Sequence, residues 1–137
     1  MSSKPFKWQI AATEIVLRPI GYVENSVDEP RAPAEIRKVD SRIVLNPTLV
    51  DGLEGIQAGD QLIVVFHLHR STKYNLCQHP HGDANCPKRG VFGLRSPRRP
   101  NPIGLTVVTV VALEQNVLHV RGLDAINDTP VLDLKPV

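Results

Sequence analysis

The residues best equipped for chemistry lie between Lys88 and Gly104, where the chain reads KRGVFGLRSPRRPNPIG. Lys88, Arg89, Arg95, Arg98 and Arg99 are cationic, and no acid stands among them. Pro97, Pro100 and Pro102 fix φ and remove backbone donors, so the segment is neither a helix nor a central strand. Gly90, Gly93 and Gly104 leave room for tight backbone geometry. A guanidinium is a planar fork of donors that matches phosphate or carboxylate and also stacks on bases. Arginines on a proline-stiffened loop therefore point to an anionic or nucleotide-like ligand. The alternative is a solvated basic turn, which has no need of rigidity.

A second constellation, Cys77-Gln-His79-Pro-His81-Gly-Asp-Ala-Asn-Cys86, brings thiols and imidazoles together, the ligand types of structural zinc. Its spacing departs from the paired CxxC pattern, so the expectation is a polar loop without metal. His67 and His69 alternate at a strand end and share one face, where a histidine is most simply a hydrogen-bonded structural residue. Asp124, Asp133 and Lys135 stand in apolar strand-like sequence, where unpaired charge is costly. They read either as mutual pairs, Asp133 with Lys135 foremost, or as ligand contacts.

Strands must position these side chains. Residues 1–13 mix polar residues with Pro5 and show no period, which reads as a flexible lead-in with Trp8 docking on a body formed by 14–137. Glu14 to Val23 is β-branched and apolar, and Pro19 makes it an edge or interrupted strand. Glu24 to Arg37 reads as a loop. Ser41 to Leu45 reads as a strand ended by Asn46-Pro47, and Thr48 to Ile56 as a helical turn or two before Gly59-Asp60. Gln61 to His69 is a strand whose Leu-Ile-Val-Val-Phe run predicts burial on both faces. Leu105 to Leu113, Val117 to Leu123 and Val131 to Lys135 complete the set, the last with Val131, Asp133 and Lys135 alternating on one face. Short strands without strand–helix alternation predict an all-β fold, a small single-domain β-barrel with one or two short helical turns. Gly52, Gly55 and Gly59 do not make a GxGxxG fingerprint, which argues against a Rossmann domain.

A chain of 137 residues with 42% hydrophobic content supports one core. Sixteen basic against fourteen acidic residues give a net charge of only +2, so any affinity for nucleic acid must come from local clustering. No apolar stretch approaches the roughly 20 residues needed to cross a bilayer, and the first residues lack a signal-peptide core. The expectation is a soluble, cytoplasmic protein with no membrane association. Cys77 and Cys86 sit in a domain large enough to need no disulfide.

The run GVFGLRSPRRPNPIG resembles the signature of the TrmO family, also called TsaA-like or YaeB-like. Its usual form is Gly-Val-Phe-Ala-Thr-Arg-Ser followed by Arg-Pro-Asn-Pro-Ile-Gly. Arg18-Pro-Ile-Gly-Tyr-Val23 resembles the family's first strand, Pro30-Arg31-Ala-Pro33 its early turn, and Phe66-His67 the end of a middle strand. Leu123-Asp124 and Thr129-Pro-Val-Leu-Asp-Leu-Lys-Pro136 resemble its closing segment, so the likeness runs from residue 14 onward. Three departures stand out: Gly93-Leu94 for a small residue and threonine, Asn127-Asp128 for Asp-Gly, and Val137 for tyrosine. Longer family members continue past this point, and RNA contacts made by that region would here be made otherwise.

The resemblance implies a small β-barrel methyltransferase that uses S-adenosylmethionine, held near a homodimer interface. The implied acceptor is the exocyclic nitrogen of a threonylcarbamoyl-modified adenosine beside the anticodon of tRNA. Phe92, Arg95, Ser96 and Asn101 become cofactor-binding residues on this reading, joined by Phe66, His67, Leu123, Asp124 and Lys135. Arg31, Arg89, Arg98 and Arg99 become RNA contacts, and Asp133, Asp124 and His67, in that order, the candidate proton acceptors. Such a transfer needs no metal, because holding donor and acceptor in line contributes roughly 7 to 11 kcal/mol. A positioned carboxylate or imidazole helps to remove the amine proton. Two alternatives from other classes remain: a noncatalytic RNA-binding module using the basic loop, and a small zinc-dependent enzyme built on the Cys77 to Cys86 loop.

Overall fold

β-branched side chains favour extended backbone, and the segments richest in them form the strands of a computed structural model that describes residues 2–137. Six strands close into an antiparallel barrel: β1 (Gly21–Glu24), β2 (Ser41–Leu45), β3 (Gln61–His67), β6 (Ile103–Glu114), β7 (Val117–Arg121) and β8 (Pro130–Pro136). Their order around the barrel is β1-β2-β7-β6-β3-β8, and β8 returns to β1. Two short strands, β4 (Cys77–Gln78) and β5 (Arg89–Gly90), pair as a separate ribbon. Among the described residues, regular helix is limited to α1 (Trp8–Ala11) and α2 (Pro33–Ile36), with 3-10 turns at Pro47–Leu53, Pro80–Gly82 and Val91–Gly93. The all-β barrel expected from the sequence is what the chain forms.

A barrel of so few strands has a narrow interior, and the sequence fills it with branched aliphatics. Val23, Ile43, Val64, Val108, Leu118 and Val131 are fully or almost fully buried, and Phe66 is the one buried aromatic among the described residues. β6 is long enough to serve two neighbours. Ile103–Thr109 pairs with β3 and Thr109–Glu114 with β7, across an irregularity between Val110 and Ala112. A satellite cluster of Val27, Ile36 and Ile126, with Val39 against it, fixes α2 to the segment after β7.

Several details differ from the sequence expectations, one being that the Glu24 to Arg37 stretch, read as a loop, contains α2. The first strand begins at Gly21, not Glu14, and Ile15, Val16 and Leu17 are exposed. Pro19 offers no donor for a ladder, and the pairing starts when the Ile20 N–H donates to the Val131 carbonyl at 2.8 Å. β3 alternates, with Leu62, Val64 and Phe66 inside and Ile63 and Val65 half-buried outside, because no second layer covers the barrel wall. In β8 the register shifts between Val65 and Phe66, so Phe66 faces Val131 while Val65 faces Asp133. Leu132 is the extra residue of this bulge. Val131 therefore points into the core, and only Asp133 and Lys135 keep the shared outer face that the alternation assigned to all three.

Candidate functional site

The bulge in β8 gives the outer wall of β8, β3 and β6 its chemistry. Lys135, Ile63 and Val107 lie abreast, as do Asp133, Val65 and Leu105, and then His67 and Ile103. The wall is thus charged on β8 and apolar on β6, where Ile103, Leu105 and Val107 are each exposed by 38–51%. Lys135 Nζ and Asp133 Oδ2 are 2.8 Å apart, the mutual pair that their positions predicted. That hydrogen bond, opposed by partial burial and helped by the Leu134 N–H, keeps the Asp133 carboxyl below its ordinary range. The His67 ring has no hydrogen-bond partner among the described residues.

The basic loop is fastened to the β6 edge of this wall, and backbone carbonyls hold its arginines. Arg95 Nη1 donates to the Leu105 carbonyl at 3.1 Å, fastening the loop to β6. Arg99 Nη1 donates to the carbonyls of Leu94 and Ser96 at 2.9 and 3.1 Å, and the Ser96 hydroxyl accepts from the Arg98 N–H at 3.2 Å. Arg99 is thus partly a brace within the loop, while the Arg98 side chain is exposed. Val91 is buried and anchors the turn, leaving Phe92 79% exposed beside it. A Cβ on Gly93 would lie 3.3 Å from the Arg89 guanidinium, which therefore covers that glycine. Asn101 is exposed, and Pro102 accepts from the Leu68 N–H at 2.7 Å, which joins the loop to the end of β3.

A second group gathers at the segment after β7. Ile36, the one buried residue of α2, seats the helix so that the next residue, Arg37, places Nη2 2.8 Å from Asp124 Oδ2. The other Asp124 oxygen accepts a short hydrogen bond from the Thr106 hydroxyl, which faces into the barrel. Asn25 and Asn127 knit the neighbouring loops. Asn25 Nδ2 donates to Ser41 Oγ and to the Ala125 carbonyl, and Asn127 Oδ1 accepts from the Asn25 N–H at 3.0 Å. Arg31 is exposed on the same stretch of chain. His69 is half-buried, and burial first, then His67 and Arg70, hold its imidazole below histidine's ordinary range.

Phe66 and Leu123 are core residues with 3% and 0% exposure. They support the wall from beneath, and the Leu123 side chain has no surface to offer a ligand. Arg37, Thr106, Asn25 and Asn127 were missed in the sequence because each is an ordinary polar residue in its own stretch. Their partners are about 16 to 102 positions away. In the Cys77 to Cys86 loop, His79 Nδ1 bonds the Cys86 carbonyl at 2.7 Å and Cys86 Sγ approaches Asp83 at 3.7 Å. Among the described residues no group of three His, Cys, Asp or Glu converges as a metal site, and both cysteines are free. The wall itself is open. Two hollows lie elsewhere, a groove of about 570 Å³ along the ends of β1 and β2 and a recess of about 380 Å³ between Arg70–Asn75 and Arg98.

The family described as tRNA-methyltransferase O N-terminal domain matches residues 22–137. The chain belongs to this TrmO family. A probable S-adenosyl-L-methionine-binding protein of Methanocaldococcus jannaschii is 37% identical over 125 residues, 87% of this chain and 89% of that protein. An S-adenosyl-L-methionine-binding protein of Archaeoglobus fulgidus is 39% identical over 124 residues, 88% of each. The tRNA (adenine(37)-N6)-methyltransferase of Mus musculus is 33% identical over 140 residues, which is 93% of this chain and 32% of the mouse protein. The crystal structure of TrmO from Pseudomonas aeruginosa matches with a TM-score of 0.70 at 29% identity, over 91% of this chain and 56% of that one. The chain thus spans just over half the length of the solved TrmO chain. Within the TrmO pattern, the departure at Asn127-Asp128 has a geometric reading. Asp128 holds φ at +66°, the left-handed conformation that the glycine usual there adopts without cost. Among the described residues no helix is long and apolar enough to cross a membrane.

Proposed function

We propose that this TrmO chain transfers a methyl group from S-adenosylmethionine to the exocyclic nitrogen of an adenosine beside the tRNA anticodon, already threonylcarbamoyl-modified. The observation that carries this reading is the basic loop fastened at the β6 edge of the outer wall of β8, β3 and β6. It puts Arg95 on the Leu105 carbonyl, Leu105 lies abreast of Val65 and Asp133, and Phe92 stands exposed on the same loop. The side chains fit the donor's parts. Phe92 and Leu105 offer apolar surface to an adenine, Asp133 a carboxylate to hydroxyl or ammonium groups, and Lys135 and Arg95 cations to a carboxylate. Ser96 and Asn101 add short polar contacts from the same loop, Asp124 lies at the neighbouring edge, and Phe66 and Leu123 back the wall.

Bound S-adenosylmethionine supplies an electrophilic methyl on a sulfonium. The chain's part is to hold the acceptor amine in line and to take its proton. Asp133 is the first candidate for that proton, being ionised and accessible. Asp124 is committed to Arg37 and Thr106, and His67 is the remaining alternative. Arg31, Arg89 and Arg98 meet RNA phosphate, with Arg99 bracing the loop between them. An anticodon-loop base is unpaired and costs little to present. The exposed Ile103, Leu105 and Val107 stripe supports a homodimer that closes the open wall. A cytoplasmic location follows from a tRNA substrate.

The test is methyl transfer to tRNA followed by mass analysis of its nucleosides, beside calorimetry with S-adenosylmethionine. The wild-type chain is expected to bind the donor and form methylated threonylcarbamoyladenosine, and Arg95→Ala to lose both without loss of fold. tRNA binding with no heat from S-adenosylmethionine would leave a noncatalytic RNA module instead. Sedimentation of the wild type against Val107→Asp decides the dimer, since the charge should return a dimer to monomers.

A further inference from the structure

The recess between Arg70–Asn75 and Arg98 is built from residues that the sequence did not single out, Arg98 excepted, and none of the proposed donor-binding residues lines it. Its volume, about 380 Å³, is that of a small-ligand site, which spans about 300–1,000 Å³. Its walls are clamped. The Ser71 hydroxyl donates to the Pro97 carbonyl at 2.7 Å, and the Gln78 carboxamide donates to the carbonyls of Asn75 and Arg98 at 2.7 and 2.6 Å. The Val91 N–H closes the other side on the Leu76 carbonyl at 2.8 Å. The segment is therefore tied to the proline-braced loop along its length, which lowers the ordering cost of binding.

The charge of the recess is one-sided. Arg70 is offset, since Nη2 pairs with Glu29 at 3.1 Å and Nη1 donates to the Asp28 carbonyl. Lys73 and Arg98 have no acidic partner among the described residues, and no carboxylate lines the hollow. Tyr74 lines the same hollow with 53% of its surface exposed, so its ring is available to stack. An anion-binding hollow with a free aromatic ring and no acid suits a nucleotide. It does not suit a sulfonium donor, whose ammonium and ribose hydroxyls call for a carboxylate.

We propose that this recess accepts one unpaired nucleotide of the RNA, its base stacked on Tyr74 and its phosphate held between Lys73 and Arg98. The proposal rests on the reading that the chain acts on tRNA, and it deepens that reading by naming where a nucleotide other than the methyl acceptor is held. Because Arg98 belongs to both the recess and the basic loop, a strand held here continues along that loop. Stacking of this kind tolerates any base and depends on salt through its phosphate.

Steady-state methylation with tRNA varied, together with equilibrium anisotropy of labelled tRNA across a salt series, tests the recess. Tyr74→Ala should raise KM for tRNA on the order of tenfold with kcat within about twofold, and Tyr74→Phe should restore the wild-type KM. Lys73→Ala should reduce the salt slope of tRNA affinity by about 0.7, and neither variant should change the calorimetric affinity for S-adenosylmethionine. A wild-type KM and slope in both alanine variants, beside an active wild-type enzyme, would overturn the recess alone. A wild-type protein that methylates no tRNA would instead overturn the proposed function. The anisotropy of the same variants would then still decide whether RNA enters the recess.

Discussion

Gly104 shows how one residue ties the basic loop to the core. A Cβ there would stand 2.5 Å from Phe66 Cε2 and 2.6 Å from Cζ, closer than the buried ring can yield. Gly104→Ala is expected to cost about 1–3 kcal/mol through overpacking and to displace the loop that precedes it, read as a lower urea midpoint with weakened donor binding. His69 sets a pH dependence. Its folded imidazole is held below histidine's ordinary range, mainly by burial, so the unfolded chain binds more protons as pH falls through about 6.5. Stability should therefore fall as pH drops below about 6.5, and His69→Gln should flatten that part of the profile; urea titrations between pH 5 and pH 8 check the sign. Asp133 runs the same way lower down, its contribution present above the usual carboxylate range and lost as pH falls through its depressed value.

Among the elements, the hairpin between β6 and β7 carries a correctable strain. Glu114 faces Val117, so Gln115 and Asn116 form the loop, and Gln115 holds φ at +54°. A positive φ at the first loop residue favours glycine, as in a type II′ turn. Gln115→Gly should stabilise by up to about 1 kcal/mol by relieving the left-handed cost, less what glycine adds to the entropy of the unfolded chain. Thermal unfolding measures the difference, and no gain would mean that the loop already relaxes. β8 illustrates the opposite case, an irregularity with a use. Its bulge turns Asp133 and Lys135 outward onto the wall shared with β3 and β6 while Val131 stays in the core. Removing Leu132 would restore regular pairing and still leave Val131 inside with Asp133 and Lys135 outside, so the bulge is what reconciles this face assignment with a residue too many for strict alternation.

At the scale of the molecule, the family match and the barrel both begin after the first twenty residues. Phe6, Trp8, Ile10, Ile15, Val16 and Leu17 are all more than half exposed, and α1 buries nothing. Trp8 stacks edge-on against Phe6, with ring centres 5.1 Å apart, and not against the body as the sequence led one to expect. Deleting residues 2–13 should therefore change stability by less than about 0.5 kcal/mol, measured as an unchanged urea midpoint; a larger loss would show that the segment packs on the barrel. The sequence by itself determined most of the strand segments, through runs of valine and isoleucine between turn residues, and it determined the stiff basic loop, because proline and arginine act through local geometry and charge. Only the tertiary structure decided which face Asp133 occupies, that Arg37 and Thr106 meet Asp124, and that Lys73, Tyr74 and Arg98 share a hollow. Those facts depend on a register shift, on barrel closure and on loop-to-loop hydrogen bonds. All of these join positions far apart in the chain, where a local pattern carries no information.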